Sequence, residues 1–209
     1  MVTETVPKLL DWARRLQAIA QSGNAWEPAP YDRERYDQVR AIAAEMLASN
    51  GEVADVDARL AQEVGHATPK LDVRGVVFRG GEILLVRERD GGAWSLPGGW
   101  VDIGEGPGEA VAREVLEESG YVVRPVKLLG LYDRDRRGFP PHLWHIWKAF
   151  FLCELESEER ARLGYETLDA RFFPRAELPE PLRFGDATRA EIERSFDHWE
   201  HPEWPTQFD

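Results

Sequence analysis

The sequence predicts an α+β fold: a helical unit of about 65 residues, then a mixed domain in which strands and helices share a core. Two observations predict it. Before residue 66, apolar residues recur at helical spacing. Beyond residue 70 the chain turns β-branched, with short strand runs, glycine turns and two further helical stretches. The 209 residues, 43% hydrophobic, suffice for one good-sized core or for a modest domain with a small companion. The expected division is 1–66 and 67–209, with HATPK (66–70) as linker.

Leu9, Trp12, Ala13, Leu16, Ile19 and Ala20 mark an amphipathic helix over 7–21 that ends near Gly23. A second helix is expected from Asp32, as N-cap, to Ser49, with Tyr36, Val39, Ala43, Met46 and Leu47 inward and Gly51 as its stop. A third spans 55–64, with Val56, Leu60 and Val64 inward. These helices bury little alone, so they pack on the main domain or on a second subunit. Strands follow at 73–79 and 83–88, joined through Gly80-Gly81 as a hairpin, then at 121–133, 144–154 and 168–173. Helices are expected at 107–119 and 186–199. The C-terminal SFDHWEHPEWPTQFD is assigned packing only.

A net charge of -12 argues against a surface built to hold nucleic acid by counterion release. Cys153, the sole cysteine, permits no internal disulfide, and its apolar setting suits a buried, inert thiol in a reducing cytoplasm. MVTETVPKLLDWARR has no uninterrupted apolar run and reads neither as a signal peptide nor as a membrane span.

The chemistry concentrates in LPGGWVDIGEGPGEAVAREVLEESGY (96–121). On a helix, Arg113, Glu114, Glu117 and Glu118 fall within an arc of about 140°, with Ala112, Val115, Leu116 and Ser119 opposite. Glu114 and Glu118 stand four apart, where like charges repel, and the C-terminal end of a helix disfavours anions. A hard divalent cation, Mg²⁺ or Mn²⁺, reverses each of these terms. An acid-rich helix by itself is ordinarily a solvated face; its flanks decide. Pro97-Gly98-Gly99 forms a tight turn where backbone approaches a ligand, and the Gly99 carbonyl is a candidate metal ligand. Glu105, in the loop before the helix, is placed to hold Arg113.

Gly99, Glu105 and Arg113-Glu114-Val115-Leu116-Glu117-Glu118-Ser119-Gly120-Tyr121 together resemble the Nudix box, G-x5-E-x7-R-E-U-x-E-E-x-G-U. Only Tyr121 departs from it, standing where an aliphatic is usual. The resemblance implies an α/β/α sandwich with a mixed sheet. It implies hydrolysis of a nucleoside diphosphate linked to another group, with Glu114, Glu117 and Glu118 holding the metal. The proton acceptor is Glu117, Glu118 or a loop acid among Glu158, Glu159 and Glu166, of which Glu166 is preferred. The helical segments, with TPKLDVRGVVF and WSLPGGWVDIGE, resemble the Nudix subgroup that carries an N-terminal helical domain. That subgroup includes ADP-ribose and CDP-choline pyrophosphatases, and its N-terminal helices help form a homodimer.

For the substrate, ADP-ribose hydrolases of this family typically carry a proline about fifteen or sixteen residues past the box. Those positions here are Asp135 and Arg136, with Pro140 and Pro141 nearest. CDP-choline is therefore placed ahead of ADP-ribose. Its quaternary ammonium binds over aromatic faces, and Trp100 is the first candidate, with Tyr132, Trp144 and Trp147 behind it. Arg87 and Arg89 are candidate phosphate contacts. His142 and His145 have ligand-like spacing, but residues three apart on a strand face opposite sides. Two other readings stand against the hydrolase of nucleotide derivatives: a non-catalytic nucleotide-sensing regulator, and cleavage of capped or triphosphorylated RNA.

Overall fold

The computed structural model describes residues 7–48, 53–157 and 159–209. They divide into two compact units, one reaching Lys70 and including Pro140–His145, the other holding Leu71–Phe139 and Ile146–Asp209.

The first unit has three helices, α1 (Lys8–Asn24), α2 (Pro30–Leu47) and α3 (Val53–Ala61). Helix α1 ends at Asn24, next to the expected Gly23, whose missing side chain leaves room for the Tyr36 ring on α2. Helix α2 starts two residues before Asp32: Pro30 occupies its first turn, and Asp32 instead pairs with Arg35 at 2.8 Å. It ends at Leu47; Ser49 and Gly51, expected as its end, lie outside the described residues. Helix α3 ends before Val64, which is exposed rather than inward. Ala43, Ala44 and Leu60 form the core, with Leu16, Leu47, Val53, Val56, Leu143 and Trp144 packed on it. Leu9, Trp12 and Ile19 remain half exposed.

The second unit is a mixed sheet with a helix on each face. Its strands are β1 (Lys70–Arg79), β2 (Glu82–Glu88), β3 (Trp94–Ser95), β4 (Val123–Asp133), β5 (Ile146–Leu155), β6 (Thr167–Phe173) and β7 (Gln207–Phe208). The order is β3-β2-β1-β5-β4-β7, with β6 also on β2. Strands β1 and β2 form the expected hairpin, Phe78 opposite Ile83. Helix α4 (Pro107–Ser119) packs Ala110, Val111 and Val115 against Val73, Val77, Leu84 and Val86. Helix α5 (Asp186–Glu200) packs Ile192 and Phe196 against Val76, Ile83 and Leu85. Successive strand residues alternate between these two cores.

Three expectations shift here. Tyr121 precedes β4 instead of starting it, and fills the α4 core edge-on to Phe172. Leu116, expected inward, is exposed. Strand β5 begins at Ile146, since the preceding Pro140–His145 belong to the helical unit. The C-terminal segment does more than pack: β7 pairs parallel with β4, and Asp209 accepts the Asp133 N–H at 2.7 Å. Cys153 is buried, its pKa pushed up to about 12 by that burial.

Candidate active site

Local sequence fixes the glutamate helix tightly. Pro107 opens it, Glu109 accepts the Gly106 N–H at 2.8 Å, and Gly120 closes it in a left-handed conformation. Its inner face is apolar, so the position of α4 on the sheet is set by burial, and Glu114, Glu117 and Glu118 ride on it.

The glycine turn comes to meet them. Gly98 has φ 145°, and a Cβ there would lie 2.0 Å from the Val73 carbonyl oxygen; only glycine lets the loop sit this close to β1. The Gly98 N–H donates to Glu118 Oε2 at 2.8 Å. A Cβ on Gly99 would stand 2.9 Å from both Glu114 carboxylate oxygens. Loop backbone and two of the three glutamates thus share one small space.

Arg113 ties the remaining parts together. It donates to both Glu105 oxygens at 2.7 and 2.9 Å, to Glu114 at 2.9 Å and Glu117 at 3.2 Å, and to the Trp100 carbonyl at 3.3 Å. Its hydrogen bond holds the Glu105 pKa below the usual carboxylate value.

Burial sets the charge state of the other two acids. It pushes Glu118 up to about 7, with Glu114 and Glu166 adding repulsion against the opposing pull of Arg74 and the Gly98 N–H. It also raises Glu114, against the opposing effect of Arg113. Glu166 comes this near because its loop is docked on the end of α4: Gly164 N–H donates to the Glu117 carbonyl at 2.8 Å, and Ala161 N–H to that of Gly120 at 2.8 Å. Of the other loop acids, Glu159 is exposed and Glu158 lies outside the described residues.

The remaining candidates separate. Trp100 stays 46% exposed beside the glycine turn. Arg87 donates to the Gly92 carbonyl at 2.8 Å and Arg89 to that of Tyr165 at 2.7 Å, so both brace loops. Tyr132 is buried with Arg137 3.9 Å from its ring centre. Trp144 belongs to the helical unit, under Lys70, and Trp147 sits on the α4 side of β5 by strand alternation. His142 spends its Nδ1 on the Trp144 N–H at 3.1 Å.

Sequence reasoning missed a second charged group, on the α5 side of the sheet. Asp72 and Arg74 form a two-pronged pair at 2.8 and 2.7 Å, and Arg74 reaches the Leu96 carbonyl at 3.2 Å. Lys148 lies 3.3 Å from Glu191 and 3.9 Å from Asp72. Burial opposes charge on all four. Arg74 and Lys148 nonetheless hold Asp72 below its usual pKa, while burial lowers Lys148 and raises Glu191. A signal existed: Asp72, Arg74 and Lys148 are charges inside otherwise apolar strands.

An α/β/α sandwich with carboxylates gathered against a glycine turn defines a hydrolase that works on phosphate esters or anhydrides with a cation's help. Comparison with known proteins makes the class specific. A NUDIX domain profile matches residues 68–196, and a UDP-X-like, N-terminal oligomerisation domain profile matches 7–59. The chain belongs to the Nudix hydrolase family and is a pyrophosphohydrolase. It is 43% identical over 204 residues, 97% of each chain, to the putative ADP-ribose pyrophosphatase YjhB of Bacillus subtilis (strain 168). A solved ADP-ribose pyrophosphatase from Streptococcus suis is 36% identical, with TM-score 0.61, over 68% of this chain and 100% of that one. A UDP-X diphosphatase structure is 29% identical, with TM-score 0.61, over 100% of both chains.

Proposed function

We propose that this enzyme cleaves the diphosphate bridge of nucleoside diphosphate derivatives, ADP-ribose and nucleotide sugars ahead of CDP-choline. The carrying observation is the contact of the glycine turn with Glu114 and Glu118. Every donor there is a hard oxygen, and the missing side chain of Gly99 leaves the turn against the carboxylate. This set fits Mg²⁺ or Mn²⁺, which Glu114, Glu117, Glu118 and the Gly99 carbonyl would hold. Such an ion, when bound, neutralises phosphate charge and makes water more acidic.

The chain's own residues supply orientation and proton handling. Arg113 with Glu105 fixes the loop against α4, so the carboxylates meet the substrate already oriented. Glu118 and Glu166 are placed to take a proton from the attacking water. With a cation bound, Glu118 would be held ionised, which leaves Glu166 the freer of the two to accept that proton. Glu117, half free of Arg113 and exposed, completes the acidic face.

The ranking is supported by the relatives, which are named as ADP-ribose pyrophosphatases and a UDP-X diphosphatase. CDP-choline remains a second reading on one observation, the exposed face of Trp100. A nucleotide-sensing regulator is not favoured, since the acidic box is complete.

The division at 1–66 and 67–209 is kept as the domain boundary, and homodimerisation through the N-terminal helices follows from exposed Leu9, Trp12, Ile19 and Trp26. No helix among the described residues is long and apolar enough to cross a membrane, and the buried thiol of Cys153 suits a reducing cytoplasm.

Hydrolysis of ADP-ribose, UDP-glucose, CDP-choline and 5′-triphosphate RNA with Mg²⁺ or Mn²⁺, products separated by chromatography, tests the ranking. The expected order places the first two above CDP-choline, with RNA uncleaved; a clear lead for CDP-choline would reverse it. Light scattering of Trp12→Glu should report monomer where the wild type gives dimer. An unchanged mass would refute that interface.

A further inference from the structure

Beside the glycine turn, the α5 side of the sheet ends in a corner of aromatic and cationic side chains that the glutamates do not use. Trp100 pairs with Asp72 in an isolated antiparallel bridge, so both side chains point to the face that carries Arg74 and Lys148. Lys148 Nζ lies 4.3 Å from the centre of the Phe139 ring. Phe139 meets Phe184 edge-on at 5.5 Å.

Phe184 is the unusual member. It is 42% exposed and has φ 57°, a left-handed conformation that is strained for a bulky residue and persists only where its surroundings hold it. The surroundings do. Trp94 N–H donates to the Pro181 carbonyl at 2.9 Å and Arg183 N–H to that of Trp94 at 2.8 Å. These bonds sew the loop before α5 onto β3, the strand that runs directly into Leu96–Gly99. The Arg183 guanidinium stands 5.0 Å and that of Arg134 5.6 Å from the centre of the Phe184 ring. Arg183 is also ion-paired with Glu88, which Ser95 holds at 2.8 Å.

We propose that Phe184, with Arg183 beside it, is the surface on which the nucleobase of the substrate stacks. This rests on the nucleoside diphosphate reading above and assigns which end of the substrate enters the corner. A strained, exposed ring flanked by planar guanidinium groups offers two kinds of stacking surface, and both accept any base. A sugar presents no planar face to match these surfaces. Burial and the charge of Arg74 also lower the Arg183 pKa, a cost that an adjacent phosphate relieves.

The test uses the full-length enzyme with Mg²⁺. Calorimetric titration with AMP, UMP and CMP compares the wild type with Phe184→Ala, Phe184→Gly and Phe184→Trp. Glycine suits the left-handed backbone, so a loss in Phe184→Gly reports the missing ring and not added strain. The expected result is mononucleotide affinity about tenfold weaker in the alanine and glycine variants, KM rising with kcat little changed, and recovery with tryptophan. Unchanged affinity in Phe184→Gly would overturn the proposal, as would a wild type that binds no mononucleotide. A wild type that hydrolyses none of the panel above would instead remove the substrate reading on which it rests.

Discussion

On the α5 side of the sheet, Asp72 and Glu191 stand against Arg74 and Lys148, two anions for two cations, nearly out of reach of water. On α4, three glutamates share hydrogen bonds to one guanidinium, Arg113, and one backbone N–H. The first group closes on itself; the second leaves negative charge over. A closed group fixes geometry, here by holding Arg74 against the Leu96 carbonyl just before the glycine turn. An open one is costly until a cation arrives. Two charged clusters in one core thus perform opposite work, and their variants should fail in opposite ways.

The largest effect belongs to the open cluster. Glu118→Gln should lower kcat/KM about a thousandfold, a barrier change of roughly 4 kcal/mol, while leaving the fold intact in urea titrations. Wild-type turnover by this variant would break the contrast. Asp72→Ala strands Arg74 without its carboxylate, leaves Lys148 with Glu191 alone, and should cost about 3 kcal/mol of stability. Glu117→Gln, on an exposed acid, should stay within about 0.5 kcal/mol. Equal losses in the two would mean that the clusters do not differ in kind.

A pH series sharpens the same difference. Glu118 has its folded pKa raised from 4.5 to about 7. The cost of ionising it in the folded protein is therefore absent below pH 4.5 and complete above about 7. Metal-free protein should lose about 2 kcal/mol as pH rises across that interval. Urea midpoints in chelator at pH 5 and pH 7.5 check this, and Glu118→Gln should flatten the slope. A wild-type midpoint that rises with pH would contradict the assignment. The smaller effect on activity concerns support: Glu105→Gln loosens one partner of Arg113 and should reduce activity about tenfold, measured as initial rates at saturating Mg²⁺.

Much of this was legible from sequence because the signals are local. The bounds of α4 follow from Pro107 and Gly120, and the acidic arc from residue spacing alone. The β1–β2 hairpin follows from Gly80-Gly81 between apolar runs. What stayed hidden depends on distant partners. Strands β3 and β7 are two residues long and carry no period, and exist only because β2 and β4 offer free edges. Glu191 reads as a surface residue of α5 until Lys148 is brought beneath it. Tyr132, Trp144 and Trp147 looked like a rim because aromatic residues do not reveal from sequence which layer they enter. Gly164 brings Glu166 to Glu118 by a close approach to the Glu117 carbonyl, which no spacing rule encodes.

The most direct measurement is a Mn²⁺ titration without nucleotide, followed by electron paramagnetic resonance, on the wild type, on Glu114→Gln with Glu118→Gln, and on Glu109→Gln as a helix-cap control. The account predicts saturable binding in the wild type and the control, weakened at least tenfold in the double variant. Equal Mn²⁺ binding in all three would show that the acidic face of α4 is not where the cation sits.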